Sequence, residues 1–315
     1  NTTGHSNVAM GYRAIQQSTS SNNNVAIGDD ALKNTNSGYQ NVAVGAEALT
    51  SNTSGFLSVA IGYQALLNNT ASGNVALGSQ AMALNTTGHA HTAVGHLALY
   101  NTTAGSEMNT AVGNQAAWGN TTGDFNCALG FSALYTNSTG SNNVAIGYQS
   151  LRQSTTADNN TALGHTALRQ NTTGSHNVAV GNAAGYSGTT AYRNTAVGSL
   201  ALTAVTDGAN NAAFGYQALD SVTSGARNTA LGKGAGAGIS GSSDNTYVGM
   251  NAGEAHTSGS NNIVIGYSAA LSNSTISNEI VIGNANITRF RIPGIGLDLS
   301  SAPPTLANGV DNRVV

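Results

Sequence analysis

The sequence predicts an all-β protein, a β-solenoid or β-roll of about seventeen 17-residue coils. Three observations carry this. A glycine closes a short apolar run seventeen times, from Gly11 through Gly28, Gly45, Gly147 and Gly181 to Gly283. The interval is 17 residues, except once 16 (Gly62 to Gly78) and once 18 (Gly95 to Gly113). The residues flanking each glycine keep their type at fixed phase, and both length changes fall in the polar loop between runs, as surface insertions do. A unit this short cannot bury its own apolar face, so coils must stack.

The run before the glycine reads as a strand. The residue immediately before it is always apolar, as in Ile27, Val44, Ile61, Ile146, Val180 and Ile265. Alanine stands two before it in fourteen copies, the exceptions being Tyr247, Val264 and Val281. Side chains alternate along a strand, so the bulky residues at minus three and minus one share one face and alanine takes the other. The apolar, β-branched character predicts burial on both faces, with the minus-one residues as the repeat core. A slot restricted to alanine implies a close approach on that side. The approaching body is either a neighbouring chain or the far wall of a thin single-chain solenoid. Asparagine stands four before the glycine in fourteen copies, with Ser58, His91 and Glu279 departing. Such a row predicts a ladder of side-chain amides along the stack.

The run after the glycine carries alanine at plus three in fifteen copies and usually leucine at plus four, and it reads as a second short strand. Plus four drifts to Gly185, Gly236, Gly253 and Ala270, which predicts a thinner coil there. A loop such as Asn171-Thr172-Thr173-Gly174 then turns the chain. The sequons at Asn52, Asn85, Asn101, Asn120 and Asn171 fall in this loop and are expected to be exposed by-products of turn chemistry.

Residues 1–283 therefore form the repeat array, and residues 284–315 a cap or junction. All three prolines, Pro293, Pro303 and Pro304, lie beyond the last repeat glycine, because a stacked strand needs every backbone N–H. At roughly 4.8 Å per coil the array spans about 80 Å. The chain opens inside a loop, at Asn1-Thr2-Thr3-Gly4, which reads as a segment of a longer polypeptide. With 7% charged residues and a net charge of −3, nothing favours nucleic acid, and no run suits membrane insertion. The single cysteine, Cys127, occupies the minus-three slot and reads as a small core residue rather than a nucleophile.

The repeated Asn-Val-Ala-Ile-Gly (24–28, 143–147) and Asn-Val-Ala-Val-Gly (41–45, 177–181) resemble the head repeats of trimeric autotransporter adhesins. In that family the motif builds a left-handed β-roll with three chains side by side. The longer unit, Gly147-Tyr148-Gln149-Ser150-Leu151 with its loop, is similar to repeat arrays in phage and environmental viral tail-fibre proteins. The stretch from Asn278 to Phe290 resembles the segment that precedes a C-terminal trimerising chaperone domain in such fibres. The resemblance implies a left-handed, trimeric roll, with the alanine slots meeting across a three-fold axis. No coiled-coil stalk, anchor or intact chaperone domain accompanies it.

Candidate chemistry is sparse. Asp30 and Glu47 share a phase on adjacent coils, as a carboxylate pair or as solvated neighbours. His89, His91 and His96 cluster in sequence, where a ring about a three-fold axis would suit a metal and a polar loop would also account for them. No nucleophile motif, phosphate loop or metal spacing occurs, so neither enzyme activity nor a cofactor is expected. Aromatic rows are more suggestive. Tyr100, Trp118 and Tyr135 repeat at plus five and Tyr148 at plus one, positioned either for glycan or receptor contact or for stacking on one another. The leading expectation is a non-enzymatic fibre shaft from a virion tail fibre in host attachment, extracellular, homotrimeric, and meeting a cell-surface receptor or glycan. The alternatives are a bacterial trimeric surface adhesin head, and an ice- or surface-binding solenoid using the Thr-rich loops. Against the last, the loop changes length, whereas a flat ice-binding face needs an even array.

Overall fold

A computed structural model of the chain describes residues 3–103, 105–292 and 297–300. Seventeen three-residue strands, from β1 (Val8–Met10) to β17 (Ile280–Ile282), form one parallel sheet in which each strand pairs with the next in sequence. The protein is an all-β solenoid with sixteen turns between the first and last of its 17 strands, and no helix occurs among the described residues. Equivalent residues meet: Val25 pairs with Val42, Ala26 with Ala43 and Ile27 with Val44. The irregular coils leave this register intact, with Val59 opposite Val75 and Thr92 opposite Thr110.

The repeat glycine is fixed by backbone and by space together. Gly45 has φ +134°, a region that side-chain-bearing residues rarely adopt, and a Cβ there would lie 2.5 Å from the Gly62 carbonyl oxygen. The corner glycines thus stack directly on one another, Gly28 on Gly45 and Gly45 on Gly62.

The asparagine ladder forms as expected and reaches two coils. The Asn41 N–H donates to Asn24 Oδ1 (2.9 Å), and its Nδ2 donates to the Gly55 carbonyl (2.8 Å). Its own Oδ1 accepts the Ser58 N–H (3.0 Å). The row runs unbroken from Asn109 to Asn262, and these amides are buried. Its two internal departures each precede an irregular coil: Ser58 the 16-residue one, His91 the 18-residue one. The Nδ2 acceptor lies 14 residues on, inside the loop. A loop of different length moves that carbonyl, so asparagine loses its advantage at those two rungs.

The strand turns its core face the other way from the sequence expectation. Ala26, Ala43, Ala60, Ala145 and Ala179 are fully buried and line the lumen. Ile27, Val44, Ile146 and Val180 face outward and are half-buried, while Ile61 and Ile265 are 40% and 37% exposed. Cys127 shares that outward face and is half-buried. Volume decides this. The lumen also receives alanine at plus three and leucine at plus four, both buried, as in Ala31 with Leu32 and Ala48 with Leu49. Only a methyl group fits opposite them. The alanine slot is therefore explained within one chain.

The run after the glycine is not a second strand. Consecutive residues at plus three and plus four both point inward, which strand alternation forbids. The backbone achieves this with left-handed residues at plus two and plus four, such as Asp30 (φ 56°) and Leu32 (φ 47°). Hydrogen bonds still run between coils: the Asp30 N–H donates back to the Tyr12 carbonyl (2.9 Å), and the Leu32 N–H forward to the Ala48 carbonyl (3.0 Å). Leucine suits plus four because β-branched residues tolerate positive φ poorly.

At Gly236 and Gly253 the lumen space left by the missing leucines is filled from the strand side. Tyr247 replaces the lumen alanine and is fully buried. A Cβ on Gly236 would lie 2.6 Å from its ring, and one on Gly253 would also collide with it. One large residue thus fills the space vacated by two leucines, and its hydroxyl hydrogen-bonds His256 Nδ1 (2.6 Å).

The sequon asparagines Asn52, Asn85, Asn120 and Asn171 are fully buried, contrary to expectation, and Asn101 is half-buried. Asn52 closes its own corner: Oδ1 accepts the Gly55 N–H (2.7 Å) and Nδ2 donates to the Gly55 carbonyl (3.1 Å). Past Gly283 the chain leaves the stack, and β18 (Arg289–Ile292) pairs antiparallel with β19 (Leu297–Ser300). Pro293, Pro303 and Pro304 lie outside the described residues.

Gly45→Ala meets both the strained φ and the neighbouring carbonyl, and is expected to cost several kcal/mol. Thr173→Ala, on the exposed loop, should stay within about 0.5 kcal/mol. Chemical denaturation of the two variants checks this; equal stability would remove the corner stack as a determinant.

Candidate functional site

Because equivalent positions stack, a residue type repeated at one phase becomes a row along the rod. At plus five, the Tyr100 and Trp118 ring centroids are 6.3 Å apart with planes 2° from parallel. Trp118 and Tyr135 follow at 5.1 Å and 11°. The row continues into Arg152, whose guanidinium lies 5.2 Å from the Tyr135 ring centre. Arg169 comes next, 5.8 Å from the ring of Tyr186. Arg169 Nε donates to Gln149 Oε1 (3.0 Å) and Nη1 to the Tyr186 hydroxyl (2.8 Å). All six side chains of the row are half-buried.

Tyr148 belongs to a different row, at plus one. It stacks between Phe131 (5.5 Å, 12°) and His165 (5.0 Å, 10°). A third pair, Tyr39 and Phe56, stacks at 4.8 Å before the strand. In each of these stacks the facing rings cover one another. What remains for a ligand is ring edges, phenol hydroxyls, the indole N–H and guanidinium N–H groups. Arg152 and Arg169 were not singled out in the sequence, although the signal was present: each stands five residues after a repeat glycine.

The other candidate groups have local partners. Arg13 makes a two-pronged pair with Asp30 (2.6 and 2.7 Å), and Lys33 reaches the same carboxylate (3.1 Å). Partial desolvation pushes the Asp30 carboxyl up, but the hydrogen bonds from Lys33 and Arg13 outweigh it and hold it below its ordinary value. Glu47 accepts from Gln64 (2.8 Å), so Asp30 and Glu47 each bind a different neighbour. His89 lies 3.4 Å from Glu107, His91 is buried in the asparagine ladder, and His96 is exposed. Among the described residues no three His, Cys, Asp or Glu side chains group as metal ligands, and no helix is long and apolar enough to cross a membrane.

The Thr-rich loops split their hydroxyls. Thr121 donates to the Ser138 carbonyl (2.7 Å) and Thr172 to the Thr189 carbonyl (2.8 Å), so this row is spent in the stack. The adjacent Thr122, Thr139, Thr156, Thr173 and Thr190 are exposed, on a stretch where the loop length is constant.

No protein-family model matches the chain, and no curated protein matches it in sequence.

His91 is the titratable weak point of the ladder. Its Nδ1 accepts the Asn109 N–H (3.1 Å), while Nε2 is buried without a partner. Burial, aided by the nearby His89 and opposed by the Ser106 backbone and Asp124, pushes its pKa from 6.5 down to about 4. The folded state thus holds the neutral ring, whereas the unfolded chain protonates below 6.5. Stability contributed this way is full above 6.5 and is lost as pH falls towards about 4, a decline of about 3 kcal/mol. His91→Asn restores the repeat residue and should flatten this part of the melting-temperature profile. An unchanged acid limb would show that His91 does not carry it.

Proposed function

We propose that the chain is a non-enzymatic structural fibre shaft, a segment of a virion tail fibre acting in host attachment, in which three copies pack through the outward sheet face. The observation that supports this is the pair of outward rows at minus three and minus one. Neither row contains a charged residue in any of its seventeen copies. Leu129 and Leu163 are each 44% exposed, and Leu231 is 54% exposed. Three residues at about 3.3 Å by seventeen rungs at about 4.8 Å give a face on the order of 10 by 80 Å. Monomers rarely expose apolar patches beyond a few hundred Å². Roughly 800 Å² per partner is what a standard interface uses.

The contact that the sequence expectation placed on alanine thus falls to the opposite side of the strand. The copy number of three follows the resemblance of the Asn-Val-Ala-Ile-Gly runs to trimeric autotransporter adhesin heads. The virion setting and extracellular location follow the resemblance of the longer unit to tail-fibre arrays. A rod whose polar side chains are consumed in coil-to-coil ladders suits a spacer that carries attachment surfaces on its flanks.

Sedimentation of the native chain tests the assembly. A species near three times the 31.5 kDa chain is expected. Leu163→Lys with Leu231→Lys should dissociate it while the far-ultraviolet circular dichroism of the roll persists, because these side chains lie outside the lumen. A stable wild-type monomer at micromolar concentration, or a two-chain sandwich, contradicts the proposal.

A further inference from the structure

We infer that the plus-five row from Tyr100 to Tyr186 is a binding site for a linear acidic polysaccharide, with Arg152 and Arg169 receiving a sugar carboxylate. This deepens the attachment reading above and rests on it for the biological setting only. At two other places an arginine is balanced by a carboxylate at the same phase one coil on, while Arg193, whose counterpart is Asn210, lies over the Tyr192 ring. Arg13 meets Asp30, and Arg227 meets Asp244 at 2.6 and 2.8 Å. Arg152 differs from all three, because its same-phase neighbour one coil on is another cation, Arg169.

By the rise per coil the two arginines stand on the order of 5 Å apart, and like charges on adjacent strands destabilise. Among the described residues no carboxylate forms an ion pair with either of them. The acidic residues of these coils, Glu107, Asp124 and Asp158, all stand six before a glycine, away from plus five. There the Asp124 and Asp158 carboxylates accept backbone N–H groups of the preceding coil (2.7 Å each). Among the described residues the side-chain partner of Arg152 is the Tyr135 ring, and its Nε is buried without a hydrogen bond. Arg169 is held in place by Gln149 and Tyr186. The arrangement is a pre-positioned cation pair lacking its anion, and a guanidinium fork matches a carboxylate bidentately.

The rest of the row points to a sugar polymer. Six coils give a shallow linear track of roughly 24 Å, edged by tyrosine hydroxyls and the Trp118 indole, which suits an extended chain rich in hydroxyl groups. Two cations in six coils match a polymer with carboxylates spaced along it. A nucleic acid, with phosphate at every unit, calls for a continuous basic groove, and the chain's net charge of −3 opposes it.

Trp118 is the single tryptophan of the sequence, so its fluorescence reports on this row directly. Polygalacturonate, hyaluronate and a polysialic acid are titrated into the native protein, alongside methyl-esterified polygalacturonate and single-stranded DNA. At least one acidic polysaccharide should give a saturable change that weakens with salt, while the ester and the DNA give none. Arg152→Gln with Arg169→Gln should weaken binding about tenfold or more. Arg169→Glu gives Arg152 the carboxylate it lacks, so it should raise the melting temperature while abolishing binding.

Silence with all three acidic polymers overturns the inference. So does equal binding of the ester, a response to DNA in place of polysaccharide, or unchanged affinity in the double glutamine variant. Sedimentation of the same samples separates the two claims. A trimer that ignores every acidic polymer leaves the fibre reading standing and removes this one, and a monomer that binds them does the reverse.

Discussion

Inside the stack, a residue at a given phase has its own counterpart as a neighbour, one coil above and one coil below. That constraint, set by the in-register parallel pairing, decides what each phase can hold. A corner where backbone meets backbone admits only glycine, because the atom a side chain would need is already occupied by the next carbonyl. A buried polar phase must hold a group that both donates and accepts along the axis, and the asparagine amide does so while bracing the loop of the next coil. Trp118 stacks on Tyr135, and Arg227 stands over the Asp244 carboxylate. The same constraint makes departures informative. Where one member of a row breaks the rule, either a neighbouring coil has changed to accommodate it or the break has another use.

Tyr247 is a departure of the first kind. Its ring occupies lumen space on both sides, and Gly236 and Gly253 make room. Ser58 and His91 are of the same kind, since each precedes a coil of unusual length. Burial raises the Tyr247 phenol and lowers His256, so this lumen pair stays neutral around pH 7. Arg152 beside Arg169 is of the second kind, because no neighbouring coil compensates it.

The period, the corner glycine and the amide ladder were legible in the sequence because each is a rule about identity at one phase. Sidedness was not. Alternation states that Ala145 and Ile146 face opposite ways, and it does not say which way is inward. The deciding clue lay in the other run, where adjacent residues such as Ala31 and Leu32 are both apolar. Two consecutive inward residues must fill the lumen from that side and leave the strand only a methyl's width. The burial of the sequon asparagines is hidden in the sequence for a related reason. A loop is mostly surface, yet Asn52 turns inward to bind the backbone of its own corner. The arginine pair is visible only when basic residues are read by phase, because a total charge carries no position.

Coil-to-coil register is the source of fold, ladders and rows alike. Excising one whole coil, residues 143–159, tests it most directly. The deletion joins Asn142 to Asn160 and restores every phase, so a folded, shorter rod with cooperative thermal unfolding is expected. Excising residues 143–150 instead removes about half a coil and sets lumen residues against outward ones for the rest of the stack. That protein should fail to fold. If both deletions fold equally well, or if the whole-coil deletion collapses, register is not what holds this protein together.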